Sequence, residues 1–278
     1  MTTEARPSQQ REIDARFGEA ATYWRDVYAQ KGLQGLVYRQ RMQTVLSWTD
    51  RLRLPPGSRV LEVGCGAGQT AVELARRGFD VECTDSSREM VALTSQRIAH
   101  AGLSDAMTVS VADVHALPHP AESFALVVAV GVLPWLHSPD RGIEELARVL
   151  QPGGHAIVTA DNRVRLNMLV DPSENPLLAP LKAHWHALKR RRGWRPSGPD
   201  PHLHSPSTVD RMLVAAGLEP ERWKTLGFGP FTVLRRPILG DRLGLRLHRW
   251  LQGLADRRVP GLRRAGWHYM VSARTKDG

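Results

Sequence analysis

VLEVGCGAGQ, residues 60–69, is an apolar run interrupted by one acid, then three glycines on alternate positions, then the start of a helix-like stretch. Glycine loses more backbone entropy on folding than any other residue, so this density needs a structural reason. A glycine turn between a strand and a helix supplies one. It brings the backbone, and the amides of the helix N-terminus, close to a nucleotide-like ligand. The dinucleotide-binding pattern is G-x-G-x-x-G with an acid about twenty residues on. Here Gly64, Gly66 and Gly68 give G-x-G-x-G, and Asp85 supplies the acid. A carboxylate at that place can accept from both hydroxyls of a ribose. Glu62 lies inside the strand just ahead of the turn. A negative charge there disfavours a pyrophosphate and favours a cationic group such as an amino acid's ammonium. Asp113, at the end of a later strand-like segment, offers an acceptor suited to the exocyclic amine of adenine.

Outward from the turn, the chain alternates. Arg59–Val63 reads as a strand and Gln69–Arg77 as a helix stopped by Gly78. Phe79–Thr84 is a strand ending at Asp85, and Ser86–Ala101 a helix stopped by Gly102. Met107–Ala112 is a strand ending at Asp113, and Phe124–Val130 is nearly all apolar, as a strand buried on both faces should be. Gly142–Leu150 is helical, Pro152-Gly153-Gly154 marks a turn, and His155–Ala160 is a fifth strand. Strands alternating with helices imply right-handed βαβ units. The expected fold is α/β, a Rossmann-like doubly wound, mostly parallel sheet with helices on both faces.

Residues 11–53 read as helices rich in aromatics, including Phe17, Tyr23, Trp24, Tyr28, Tyr38 and Trp48. Residues 1–54 are thus an N-terminal helical lid, or helices packed for their own sake, ahead of a domain over 55–278. Past Asp161 the rhythm breaks into a Pro-rich insertion over about 161–205, with one helix near 177–191. A helix over Ser207–Ala216 and strands near 219–226 and 267–274 complete the sheet. A second insertion, an inserted helix over 237–258, separates those strands.

With 42% hydrophobic and 24% charged residues, the composition is that of an ordinary globular chain. The first fifteen residues carry no secretory signal pattern, and the longest apolar run, Phe124–Leu136, is interrupted by Pro134 and too short to span a membrane. Two cysteines, Cys65 and Cys83, make neither a disulfide framework nor a zinc site. A cytoplasmic enzyme is the default expectation. The net charge of +10 is uneven: residues 1–180 hold 18 Lys/Arg and 21 Asp/Glu, residues 181–278 hold 20 and 7. The excess in the last third suits either a polyanionic partner or a solvated arginine-rich surface.

A ribose acceptor, an adenine acceptor, an acid beside the loop and no lysine in the turn describe a nucleoside carrying an amino acid, S-adenosylmethionine rather than NAD. At this point the sequence resembles the class I S-adenosylmethionine-dependent methyltransferases of the type 11 group, which includes the ubiquinone/menaquinone methyltransferases. Four segments carry the resemblance in order: VLEVGCGAG (60–68), ECTDSS (82–87), ADVHALP (112–118) and EELARVLQPGG (144–154). The resemblance implies S-adenosyl-L-methionine as cofactor. Glu62 would order its methionine end, Gly64, Cys65, Gly66 and Gly68 form the loop, and Asp85 with Ser86 takes the ribose. Asp113 and the Val114 amide would read the adenine, and Val130 would line the methyl side.

A sulfonium carries an activated methyl group, so alignment of the acceptor dominates and a general base is optional. No catalytic residue stands out. Candidates on the acceptor side are Trp135 and His137, in GVLPWLHS (131–138). Trp135 falls where relatives carry a histidine, and it serves either as an acceptor wall or as packing. His137 is a base candidate or a solvated loop residue. His184, His186, His202 and His204 lack a third-ligand pattern, so no metal is expected. Leu243, Leu247, Trp250, Leu251 and Leu254 repeat at helical spacing beside Arg242, Arg246 and Arg249. Such a helix either caps the substrate pocket or lies on a membrane. The expected activity is methyl transfer to a small, apolar or lipid-like metabolite, with peripheral contact at a membrane surface as one setting for it. The alternatives are a methyltransferase of tRNA wobble-uridine type, using the basic run Lys189–Arg192, and a non-enzymatic binding protein of the same fold.

Overall fold

The computed structural model describes residues 8–175, 178, 201–234 and 236–276. Three helices open the chain: α1 (Ser8–Glu19), α2 (Ala21–Asp26) and α3 (Leu33–Leu52). Strands and helices then alternate through β1 (Arg59–Val63), α4 (Gln69–Ala75), β2 (Asp80–Asp85), α5 (Arg88–Ala101), β3 (Met107–Val111), β4 (Phe124–Ala129), α6 (Pro139–Arg148) and β5 (Leu150–Asn162). The remainder comprises α7 (Leu166–Val170), β6 (Leu203–His204), α8 (Pro206–Ala215), β7 (Leu218–Leu226), β8 (Thr232–Val233), β9 (Arg236–Pro237), α9 (Asp241–Asp256) and β10 (His268–Thr275).

The main sheet runs β3-β2-β1-β4-β5-β10-β7, with β6 beside the end of β5. β1 to β5 pair parallel with their neighbours. β10 is antiparallel to both β5 and β7. Successive side chains point to opposite faces, and the two halves of the core show it. Leu61, Val63, Val127 and Val158 pack with Ile143 and Leu146 of α6 and Val209 and Leu213 of α8. Val60, Val81, Leu126, Val128 and Ile157 pack the other way, onto α3, α4 and α5. Helices therefore cover both faces, as the alternation of the sequence implied.

Local chemistry fixes the helix ends. Ser87 caps α5, its side chain accepting from the Met90 amide, and Gly102 ends the helix in the left-handed region. Ser205 caps α8 in the same way, with Pro206 in the first turn.

The structure departs from the expected pattern in four places. Pro152-Gly153-Gly154 does not separate a helix from a strand. It lies within β5, where the register slips between Phe124 and Leu126 of β4 and the extra residues of β5 form a bulge. The short helix α7 and the β8–β9 hairpin carry too few periodic residues to show in sequence. The expected helix over 177–191 lies, except for Leu178, outside the described residues, as do the basic run and His184 and His186. Finally, the 1–54 segment divides. Val45, Leu46 and Trp48 of α3 belong to the core, whereas Ile13, Phe17 and Trp24 of α1 and α2 face the cleft described below.

The topology assembles one functional edge. Strand order reverses between β1 and β4, and the C-terminal ends of β1, β2, β4 and β5 meet beside that switch point. Because β10 runs the other way, its first residue, His268, arrives at the same edge, opposite Asp161.

Candidate active site

A cleft of about 460 Å³ opens along this edge, large enough for a nucleoside and a small acceptor. Its floor is the glycine turn. Gly64, Gly66 and Gly68 have φ of 65°, 56° and 74°, all in the left-handed region that only glycine adopts readily. Their roles differ. A Cβ on Gly64 would lie 2.5 Å from Cγ2 of Val132, and one on Gly68 2.9 Å from Cγ2 of Thr94 in α5. A Cβ on Gly66 would meet nothing within 4 Å, because that residue faces open cleft. Gly64 thus admits the loop after β4, Gly68 admits α5 and caps α4, and Gly66 leaves room for a ligand. Gly64→Ala is expected to lower stability by roughly 2–4 kcal/mol, from left-handed strain and overpacking together. Gly66→Ala should cost only the strain, about 1–2 kcal/mol. Denaturant melts of the two variants check the order.

The acids stand around this floor. Asp85 Oδ2 accepts from the Gly66 amide at 2.9 Å and Oδ1 from the Ser87 amide at 2.9 Å. Each oxygen keeps a second lone pair for a hydroxyl. Burial pushes the Asp85 carboxyl up to about 6, against the amides of Ser87 and Gly66, which favour the charged form. Ser86 Oγ donates to Asp14 Oδ1 at 2.6 Å, joining α1 to the end of β2. Cys65 is buried, with its amide donating to the Thr84 carbonyl at 3.1 Å. The neighbouring Cys83 and burial push its thiol pKa upward, so it packs as a neutral group.

Glu62 is only 5% exposed. Burial pushes its carboxyl up to about 8, the Ala71 amide and Arg41 acting in the opposite sense. Its Oε2 has no hydrogen-bond partner among the described residues. An orphaned buried carboxylate oxygen in a cleft wall is costly unless a donor arrives from the ligand. A cationic amino acid group is such a donor.

Asp113 lines the cleft and also caps a turn, its Oδ1 accepting from the His115 amide at 3.0 Å and lying 2.7 Å from His115 Nδ1. Val114 and Val130 line the same wall. Trp135 does too, packed edge-on against Phe17 with ring centroids 5.2 Å apart. His137 does not line the cleft. It packs on His115 with ring centroids 3.8 Å apart and planes tilted by 34°, where burial and the neighbouring imidazole lower its pKa. The helix α9 also contributes no residue to the cleft, so it is not a cap on the pocket. Its Leu251 and Ala255 pack instead on Phe228 and Phe231, and Gln252 and His248 accept from the amides of Gly227 and Phe228. Leu243 and Trp250 are exposed.

Three groups in the cleft were not singled out from sequence. Arg41, 7% exposed, lies with its guanidinium 4.4 Å from the Tyr38 ring. Asp161 and His268 form a pair, Oδ1 to Nδ1, at 2.9 Å. Asp161 had a legible signal, since it ends β5 as Asp85 ends β2. Among the described residues, no group of three or more His, Cys, Asp or Glu is placed to hold a metal. No helix among the described residues is long and apolar enough to cross a membrane.

The site has the donors and space for S-adenosylmethionine, and comparison with known proteins agrees. Residues 61–158 match the type 11 methyltransferase domain. The chain is 38% identical over 119 residues to the methyltransferase GfsG of Streptomyces halstedii, covering 42% of each chain. It is 27% identical over 236 residues to a ubiquinone biosynthesis O-methyltransferase of Idiomarina loihiensis, covering 83% of this chain and 90% of that one. In fold it is similar to the magnesium protoporphyrin IX methyltransferase of Synechocystis PCC 6803 crystallised with bound SAH. The TM-score is 0.64 at 15% identity, over 97% of this chain and 100% of that one. The glycine turn and the acids Glu62, Asp85 and Asp113 thus fall within the matched domain, and the chain carries an S-adenosylmethionine-dependent methyltransferase domain similar to those of the ubiquinone biosynthesis enzymes.

Proposed function

We propose that this chain transfers a methyl group to a hydroxyl oxygen of a small, apolar acceptor. The observation that carries the reading is the make-up of the cleft beyond the glycine turn. Phe17, Trp24, Trp135 and Trp267 supply aromatic walls there, with Arg16, Gln34, Arg41, Asp161 and His268 as polar groups among them. Such a surface recognises a flat or lipid-like molecule by burial and stacking. The relatives named as O-methyltransferases over most of their length support oxygen as the acceptor atom.

S-adenosylmethionine, when bound, supplies a methyl on a positively charged sulfur, activated for in-line displacement. The chain's own residues bind and orient. Asp85 accepts from the ribose, Asp113 and the Val114 amide read the adenine, and Glu62 takes the ammonium. Arg41, buried between Tyr38 and the turn at Gly131, is placed to balance the carboxylate of the same amino acid. We assign α1 and α2 the role of a lid that excludes water. Two links fasten them to the cofactor site: Ser86 to Asp14, and Gln69 Nε2, which donates to the carbonyls of Trp24 and Arg25 at 3.3 and 3.0 Å.

A labelled-methyl screen against fractionated lipids, small metabolites and tRNA tests the reading. Label is expected in an organic-extractable small molecule as a methyl ether. Label confined to tRNA, or to nitrogen or carbon, would overturn it, and none at all would favour a binding protein.

A further inference from the structure

We propose that His268, oriented by Asp161, is the general base that removes the proton from the acceptor hydroxyl. The inference rests on the oxygen-acceptor reading above and names a residue for it. His268 and Asp161 are directly opposite one another across the antiparallel β10–β5 pair. Both line the cleft, and His268 is the one histidine among the described residues that does so. His268 is 6% exposed, and its ring stacks on Trp267 with planes 6° apart and centroids 5.4 Å apart. Tyr38 abuts it from α3, ring centroids 6.5 Å apart. The imidazole is therefore held in one orientation by a strand, a stacked indole and a carboxylate.

The tautomer follows from the pairing. Nδ1 lies 2.9 Å from Asp161 Oδ1, so it donates to the carboxylate, and the lone pair resides on Nε2. Nε2 has no hydrogen-bond partner among the described residues. Burial alone would raise the Asp161 carboxyl, but the hydrogen bond from His268, with Arg165 and Arg41, holds it below the usual carboxylate range. An ionised Asp161 fixes the ring and stabilises the imidazolium that proton uptake creates. A cross-strand pair kept only for stability would have no need to stand between Trp267 and Tyr38 in the wall of the acceptor half.

The step balances. An oxygen electron pair of the acceptor forms the bond to the methyl carbon, and the pair of the carbon–sulfur bond stays on sulfur. The hydroxyl proton moves to Nε2 of His268. The positive charge that leaves the sulfonium reappears on the imidazolium beside Asp161, and solvent takes the proton after product release.

Acceptors of graded acidity separate a base from a scaffold. Phenol holds its proton with a pKa near that of tyrosine, about 10, whereas 4-nitrophenol is largely ionised near pH 8 and needs no base. His268→Gln should slow methylation of phenol by about 10²–10⁴-fold and that of 4-nitrophenol by less than about threefold. Asp161→Asn, acting through the ring, should give a smaller loss of the same selectivity. Calorimetry should show S-adenosylmethionine binding unchanged within about twofold in His268→Gln. In the wild type with S-adenosylhomocysteine bound, phenol should shift the ¹⁵N resonance of His268 Nε2. Equal losses on both acceptors, no loss on phenol, or an unmoved resonance would overturn the assignment while leaving oxygen methylation standing. A wild type that methylates neither phenol but methylates amines or thiols would instead refute the oxygen-acceptor reading, and this proposal with it.

Discussion

Asp85→Ala is expected to weaken S-adenosylmethionine binding by about 10²–10³-fold, measured by calorimetry near pH 7.5. A hydrogen bond to a charged acceptor contributes about 1.5–3 kcal/mol when both partners are otherwise desolvated. Two ribose hydroxyls sharing one carboxylate then amount to about 3–4 kcal/mol, and every 1.4 kcal/mol is tenfold in affinity. The variant loses more than ligand contacts, because Asp85 also holds the Gly66 and Ser87 amides at 2.9 Å. Asp85→Asn separates the two effects. Its carbonyl oxygen still accepts from one backbone amide, so the loop is kept while the charge is lost. The expected loss for that variant is about tenfold, with an unchanged circular dichroism spectrum. Tight binding by Asp85→Ala would refute the ribose assignment.

The cofactor half of the cleft is legible in sequence because its parts are local or sit at strand ends. A strand, a glycine turn and a helix form one continuous segment at 59–75, and the acids at 85 and 113 each follow a recognisable apolar run. Asp161 obeys the same rule at the end of β5. The opposite wall of the cleft is built differently. His268 reaches the cleft only because β10 is antiparallel, which brings the start of the strand, not its end, to the functional edge. Nothing near residue 268 in the sequence fixes that orientation. Arg41 lies mid-helix in α3, and only the packing of Val45, Leu46 and Trp48 against the sheet turns it inward. Periodicity found the apolar side of α9 but not its partner. Phe228 and Phe231, more than fifteen residues upstream of Leu247, take it up instead of the substrate pocket. His137 shows the limit of reading a loop by proximity. It is two residues from Trp135, yet Trp135 lines the cleft against Phe17 whereas His137 packs on His115 outside the lining.

Glu62 is expected to make cofactor binding depend on pH, and the sign follows from its burial. Without ligand its carboxyl is pushed up to about 8, whereas an unfolded glutamate titrates near 4.3. A folded-state pKa above the unfolded value gives stability that is present below about pH 4 and is lost as pH rises through about 8. Asp85, pushed up to about 6, acts in the same sense over the lower part of that window. The ligand-free protein should therefore melt at lower temperature at pH 8 than at pH 5, and Glu62→Gln should flatten the upper part of the trend. A cationic ligand reverses the balance, because it favours the carboxylate whose Oε2 is otherwise orphaned. Between about pH 6 and 7.5 the affinity of the wild type for S-adenosylmethionine should rise by up to about tenfold per unit. Close to one proton should be released per ligand bound at the lower end. Calorimetry in two buffers of different ionisation enthalpy reads that proton directly. Glu62→Gln should bind about 10–100-fold more weakly at pH 7.5, the loss of one charge-assisted contact of about 1.5–3 kcal/mol, and should release no proton from this site. Equal proton release by wild type and variant would place the titrating group elsewhere. An affinity that stays flat with pH would show that the ammonium does not meet Glu62, and the methionine end of the cofactor would then have to be reassigned to Arg41 and the turn alone.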